Sequence, residues 1–84
     1  MLTVSVISPE AVIYQGETDT VVAPAFDGEV GILSRHAPMV TLLGKGVLRI
    51  GSGANALRFD VQDGFLQVVA DQVRVVTERA KPAT

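Results

Sequence analysis

The feature of this sequence that most limits its fold is a series of short apolar runs separated by turn residues. Residues 2–6 and 57–61 alternate apolar and polar side chains, which is the period of a half-buried strand. Most of the runs end at glycine or proline, and no stretch before residue 78 repeats apolar residues at helical spacing. The pattern predicts an all-β fold of about nine or ten short strands without a substantial helix, at the spacing expected of a sandwich or a barrel.

Local signals add two expectations about the second half of the chain. The Asp63-Gly64 dipeptide predicts a hairpin turn between a strand over 57–61 and another over 65–70. Residues 78–81 could form one helical turn before Pro82. We therefore expect one all-β domain over residues 1–80 and a flexible tail over residues 81–84.

Composition and charge argue against several classes of function. The seven basic residues are separated along the sequence and the net charge is −2, so nucleic acid is not an expected partner. Cysteine is absent, which excludes disulfides and thiolate metal sites. No apolar run approaches the roughly 20 residues of a membrane helix, so any membrane role would be peripheral. No cofactor is expected.

The segment over residues 26–38 concentrates polar and charged residues between two apolar runs, and it reads as a loop, a strand and a second loop. It includes Glu29, Arg35 and His36, the one histidine of the chain. Loops held by a rigid sheet are frequent sites of function, and mixed charges on such a loop suit electrostatic docking. An ordinary solvated loop is an equally good interpretation of the spacing alone.

Catalytic and metal-binding interpretations of the same segment are weaker. Ser34 lies two residues before His36, but it lacks the Gly-x-Ser-x-Gly context of a nucleophile elbow. Asp27 and Glu29 are too few for a calcium site, which needs about six oxygen ligands. We expect no catalytic residue and no metal site, and a protein-binding module is the default function.

Several motifs in order resemble one known family. They are Ser8-Pro9-Glu10, Tyr14-Gln15-Gly16-Glu17, Val21-Val22-Ala23-Pro24, Gly28-Glu29-Val30-Gly31-Ile32-Leu33, His36-Ala37-Pro38, Gly46-Val47-Leu48-Arg49-Ile50 and Gly64-Phe65-Leu66-Gln67-Val68. This series, over residues 3–80, resembles the amino-terminal domain of the epsilon subunit of F-type ATP synthases.

The resemblance implies that residues 1–80 form a β-sandwich of about ten short strands at the foot of the central stalk, without an active site of its own. One copy per complex would bind the gamma subunit and the c-ring and couple ion translocation to ATP synthesis or hydrolysis. The location implied is peripheral on the membrane, at the cytoplasmic face of a bacterial inner membrane or its organellar equivalent. Carried over by position, Glu29 and His36, with Arg35 between them, would contact the c-ring.

The gamma-binding surface implied by the resemblance is an exposed apolar strip, for which the candidates are Ile13, Met39, Val40 and Thr41. Members of the family commonly continue past the sandwich with two regulatory helices. This sequence ends at Thr84, so we expect coupling without a helical switch. The alternatives are a β-sandwich adaptor for another protein and a minimal hydrolase that uses His36.

Overall fold

The computed structural model describes residues 1–83, which form eight β-strands and one short 3₁₀ helix, Gly53–Asn55. In chain order the strands are β1 (Leu2–Ile7), β2 (Val12–Thr18), β3 (Thr20–Ala25), β4 (Gly28–Leu33), β5 (Met39–Leu42), β6 (Gly46–Ile50), β7 (Leu57–Val69) and β8 (Gln72–Pro82). The all-β prediction is confirmed. No helix among residues 1–83 has the length and apolar character required to cross a membrane.

The strands form two sheets because β7 and β8 are long enough to belong to both. The second part of β7 pairs with β5, and the first part of β8 pairs in parallel with β1, which in turn pairs with β2. This gives sheet I, in the order β2-β1-β8-β7-β5. The first part of β7 pairs with β6 and with the second part of β8, and β6 continues through β3 to β4. This gives sheet II, in the order β4-β3-β6-β7-β8.

The core lies between the two sheets and consists almost entirely of aliphatic side chains. Its buried members are Leu2, Val4, Val6, Val21, Ala23, Ile32, Leu43, Leu48, Ile50, Phe59, Val61, Leu66, Val68, Val73 and Val75. They occupy alternate strand positions, as the period of two requires. Burial of each large aliphatic side chain contributes about 1.5–3 kcal/mol before the cost in conformational entropy.

The hairpin predicted at Asp63-Gly64 is wrong, because the chain bends there without reversing. Both residues have left-handed backbones, with φ of 61° and 124°, yet β7 continues and keeps its register with β8 on both sides. The Asp-Gly signal therefore reports backbone conformation correctly but not chain direction. The bend carries β7 from sheet II to sheet I, and each long strand supplies a segment to both sheets.

The helical turn predicted over residues 78–81 is also wrong, since these residues continue β8. Lys81 pairs with Asp60 and Pro82 with Phe59, and the Ala83 N–H donates to the Arg58 carbonyl at 2.8 Å. Backbone pairing to β7 overrides the weak local helical preference. The strand thus includes the first two residues of the predicted tail, and Thr84 lies outside the described residues.

We predict that Gly64→Ala lowers the free energy of unfolding by about 2–4 kcal/mol, measured by urea denaturation. A Cβ at Gly64 would lie 1.9 Å from the Val76 carbonyl oxygen, on a backbone that L-residues rarely adopt. Gly31→Ala is the matched control, because a Cβ there meets nothing within 4 Å. A loss at Gly64→Ala no larger than at Gly31→Ala would contradict the account of the bend.

Candidate functional site

The segment singled out in the sequence folds as the turn at Phe26 and Asp27, then β4, then a loop over residues 34–38. Glu29 is exposed at the beginning of β4, where it pairs with Pro24 of β3. Val30 and Ile32 face the core, so Glu29 lies on the outer face of sheet II. Strand β4 therefore presents the carboxylate from a rigid edge strand.

Arg35 and His36 lie beyond the other end of β4. Arg35 has a left-handed backbone, with φ of 66°, and its N–H donates to Asp71 Oδ1 at 2.6 Å. The His36 N–H donates to the Leu33 carbonyl at 3.2 Å. These two hydrogen bonds hold the loop against the end of β4 and against the turn between β7 and β8.

The side chain of His36 is engaged by its own loop. Its Nδ1 lies 2.7 Å from the Ala37 carbonyl oxygen, which can only accept a hydrogen bond, so Nδ1 carries the proton. In the neutral ring Nε2 is then the atom free to accept a hydrogen bond from a partner. This tautomer suits a docking contact.

The three predicted c-ring residues do not form one cluster. Glu29 and Leu33 are four residues apart on one strand, which corresponds to about 13 Å. Arg35 and His36 are further along the chain still. The segment therefore offers two separate contact points, an acidic one at the beginning of β4 and a second one after its end.

The four predicted gamma-contact residues are also divided by the fold. Val40 is 68% exposed on the outer face of sheet I, whereas Met39 and Thr41 are half-buried on the other side of β5, opposite the core residues of β7. Ile13 is exposed on β2, at an irregularity in its pairing with β1. Strands β5 and β2 are the opposite edges of sheet I, so the four residues form no continuous strip by themselves.

A continuous apolar surface nevertheless joins these two edges. Strand register places five side chains in a single line across the outer face of sheet I, and we name this line the apolar row. Its members, from β5 to β2, are Leu42, Phe65, Val76, Ile7 and Val12. Leu42 and Val12 are more than half exposed and Phe65 is 37% exposed. Val40 lies beside the row, two residues before Leu42 on the same face of β5.

Sequence reasoning missed the members of the apolar row, although one signal for them was present. Leu42 is two residues after Val40, and residues two apart in a strand lie on the same face. Assigning Val40 to the surface therefore assigns Leu42 to the surface as well. The contributions of Ile7 and Val76 depend on the parallel pairing of β1 with β8, which joins the two ends of the chain. That pairing has no local sequence signal.

Among the residues that the structure describes, no group of three or more histidine and acidic side chains is placed to hold a metal ion. The candidate functional features are the apolar row on sheet I and the two polar points at the ends of β4.

Comparison with known proteins gives one consistent family. The family described as "ATP synthase, Delta/Epsilon chain, beta-sandwich domain" matches residues 1–83. A relative named ATP synthase epsilon chain from Leptospira borgpetersenii is 46% identical over 77 residues, which are 92% of this chain and 61% of that protein. A relative of the same name from Caulobacter vibrioides is 37% identical over 79 residues, and the match covers 92% of that protein.

Two solved structures share the fold. A chain in the mitochondrial ATP synthase of Euglena gracilis, described as OSCP/F1/c-ring, superposes with a TM-score of 0.88 at 23% identity, over 96% of this chain and 52% of that one. A chain in the central stalk/c-ring structure of Tetrahymena thermophila gives a TM-score of 0.76 at 16% identity, over 95% and 65% of the respective chains. The chain spans about three fifths of the length of most of the relatives it matches.

We predict that removal of the Asp71 carboxylate opens the 34–38 loop. Asp71→Gly removes the acceptor of the Arg35 N–H and tolerates the left-handed backbone at this position, where φ is 63°. Amide hydrogen exchange at Arg35 should accelerate about tenfold, as expected for the loss of one hydrogen bond to a charged group. Asp71→Asn keeps an acceptor oxygen and should retain most of the protection. Equal exchange in all three proteins would show that this bond does not hold the loop.

Proposed function

Because this chain belongs to the family of ATP synthase delta/epsilon β-sandwich domains, we propose that it is a non-catalytic central-stalk subunit that couples ion translocation to ATP synthesis or hydrolysis. In this proposal one copy binds the gamma subunit through sheet I and the c-ring through the two ends of β4. The complex holds it at the membrane surface, on the side of the catalytic subunits. Support comes from the names of the relatives and from the two rotor-containing assemblies with the same fold.

The apolar row is the observation that carries the assignment of the gamma-binding face. Stable interfaces are dominated by a few buried apolar or aromatic anchors, and the row supplies Leu42 and Phe65 on adjacent strands. Val40 extends the same surface, and Ile13 lies next to Val12 at the far edge. Because these side chains stand on paired strands, little backbone conformational entropy is lost when a partner covers them.

The c-ring contact in this proposal is polar and weaker. The exposed Glu29 carboxylate would accept charge-assisted hydrogen bonds from basic groups, while Nε2 of His36 and the Arg35 guanidinium would act at the second contact point. An exposed pair of this kind contributes about 0.2–1 kcal/mol. Contact at two separated points resists tilting of the domain under torque better than one contact would.

We predict that Leu42→Asp weakens binding to a catalytic complex that contains gamma by about 30-fold, the effect of losing one interface anchor worth about 2 kcal/mol. The measurement is isothermal titration calorimetry with complexes that contain or lack gamma. Leu33→Asp is the matched control, because both leucines are 63% exposed and Leu33 lies on the outer face of sheet II. Gamma-independent binding by the unmodified chain, or no binding, would instead favour an adaptor for another protein.

We predict that Glu29→Lys reduces ATP-driven ion pumping relative to ATP hydrolysis while the fold is retained. Replacing attraction by repulsion at the c-ring should lower affinity for the rotor up to about fivefold. The variant is assembled into a complex depleted of this subunit, and pumping and hydrolysis are measured in the same vesicles. Glu17→Lys is an equal charge reversal on β2, five residues along the strand from Val12 and outside the apolar row, and it should leave the ratio unchanged. An unaltered ratio in a folded and assembled Glu29→Lys complex would refute the role of Glu29.

A further inference from the structure

Folding brings together basic residues that are isolated in the sequence. Five of the seven lie on the outer face of sheet II over β6, β7 and β8, and we name them the basic face: Lys45, Arg49, Arg58, Arg79 and Lys81. Asp60 lies among them, Glu29 lies on the same sheet at the edge strand β4, and Glu10 and Glu78 line a cleft with Arg79 and Lys81. No acidic side chain among residues 1–83 shares the cleft of Arg49 and Arg58.

Within the basic face, register places Arg49 of β6 directly opposite Arg58 of β7. Like charges at directly opposed positions of an antiparallel pair destabilise a sheet. Both arginines are exposed, and both line one open cleft of about 600 Å³ that no acidic residue lines. The arrangement is therefore costly for the isolated fold, and an anion between the two guanidinium groups would remove the cost.

The remainder of this cleft is small and polar. Gly51 and Gly53 have left-handed backbones, with φ of 89° and 71°, and the Ser52 side chain makes no capping hydrogen bond to the short helix that follows. Thr20 also lines the cleft. Hydroxyl groups and a glycine turn leave room for a ligand to approach both arginines.

We propose that Arg49 and Arg58 form a binding site for a phosphate group. Each guanidinium can donate two parallel hydrogen bonds, and the pair carries two positive charges, of which one carboxylate would balance only one. A terminal phosphate presents three acceptor oxygens and close to two negative charges, which matches the charge of the pair. The inference does not depend on the stalk function, because neither arginine belongs to the surfaces assigned to gamma or to the c-ring and the site needs no other subunit.

The neighbouring cleft on the same face is a weaker candidate for binding the phosphate group. It is lined by Lys45, Arg79 and Lys81, but also by Asp60, whose carboxylate repels an anion. Arg58 and Gln62, which mark the two clefts on β7, are separated by about 13 Å. These three cations act at longer range by raising the positive potential around the first cleft.

The test is a titration of the 84-residue chain with pyrophosphate and with inorganic phosphate, followed by amide chemical shifts at low ionic strength. Shifts should concentrate at Arg49, Arg58 and the turn after β6. Arg49→Gln and Arg58→Gln should each weaken pyrophosphate binding about tenfold or more, as expected for one charge-assisted contact. Arg74→Gln makes the same charge change on the outer face of sheet I, and binding should stay within about twofold of the unmodified chain.

Two further measurements separate a built site from general attraction. Arg49→Lys keeps the charge but loses the paired donors, so its affinity should fall towards that of Arg49→Gln. Because each Gln variant removes a like-charge repulsion, its midpoint of thermal unfolding should not decrease, and lost binding cannot then be attributed to unfolding. Absence of shifts at the two arginines, full binding by Arg49→Lys, or equal losses in Arg74→Gln would overturn the proposal.

Vesicle flotation tests whether the phosphate group belongs to a lipid headgroup or to a soluble compound. Vesicles that contain phosphatidic acid present a terminal phosphate, and phosphatidylcholine vesicles do not. Flotation that requires phosphatidic acid together with Arg49 and Arg58 would identify a lipid headgroup. Binding of pyrophosphate without flotation would identify a soluble phosphate compound. Absence of both pyrophosphate binding and flotation would overturn the proposed site.

Discussion

The architecture depends on one close backbone approach, where Gly64 of β7 passes the carbonyl of Val76 on β8. At this crossing β7 bends between the two sheets, and the next residue of β8, Thr77, is buried with its hydroxyl 3.0 Å from the Gln62 carbonyl and 2.9 Å from the Arg79 carbonyl. Only a residue without a Cβ fits at position 64. The hydroxyl occupies space between the strands and contacts one carbonyl of each strand on the sheet II side of the bend.

This crossing explains how so short a chain builds two five-stranded sheets. Because β7 and β8 each serve twice, eight strands provide ten strand segments, and the two segments of each strand are joined without a loop. Fewer loop residues favour the stability of a small domain, since every loop residue adds conformational entropy to the unfolded chain without adding to the core. The same continuity couples the faces mechanically, because a load applied to sheet I reaches sheet II along two uninterrupted strands.

Much of this fold could be predicted from the sequence, and the failures have physical reasons. Alternation in residues 2–6 and 57–61 identified the strands, because burial on one face forces a period of two. The bend at Gly64 was mistaken for a reversal, because Asp-Gly encodes a left-handed backbone and both geometries use it. The extension of β8 to Pro82 was missed because its stabilisation comes from β7, a partner distant in sequence.

The candidate site was predictable to the extent that its residues act singly. Glu29 and Val40 each lie between two inward-facing residues of their own strand, which places both side chains on the outer face. The structure shows both exposed. Their grouping was not predictable, since it depends on strand order. Met39 and Thr41 adjoin Val40 in sequence but lie on the other side of β5, whereas Phe65 is distant in sequence and directly opposite Leu42.

The outer faces of the two sheets differ in the chemistry of their exposed side chains. Sheet I leaves apolar side chains exposed along its row, which is unfavourable in water unless a partner covers them. Sheet II instead places two arginines in opposition, which is unfavourable unless an anion lies between them. Neither feature stabilises the isolated domain. Local features that oppose stability are the ones best explained by contacts outside the chain, and here the two kinds of contact are chemically distinct and lie on opposite faces.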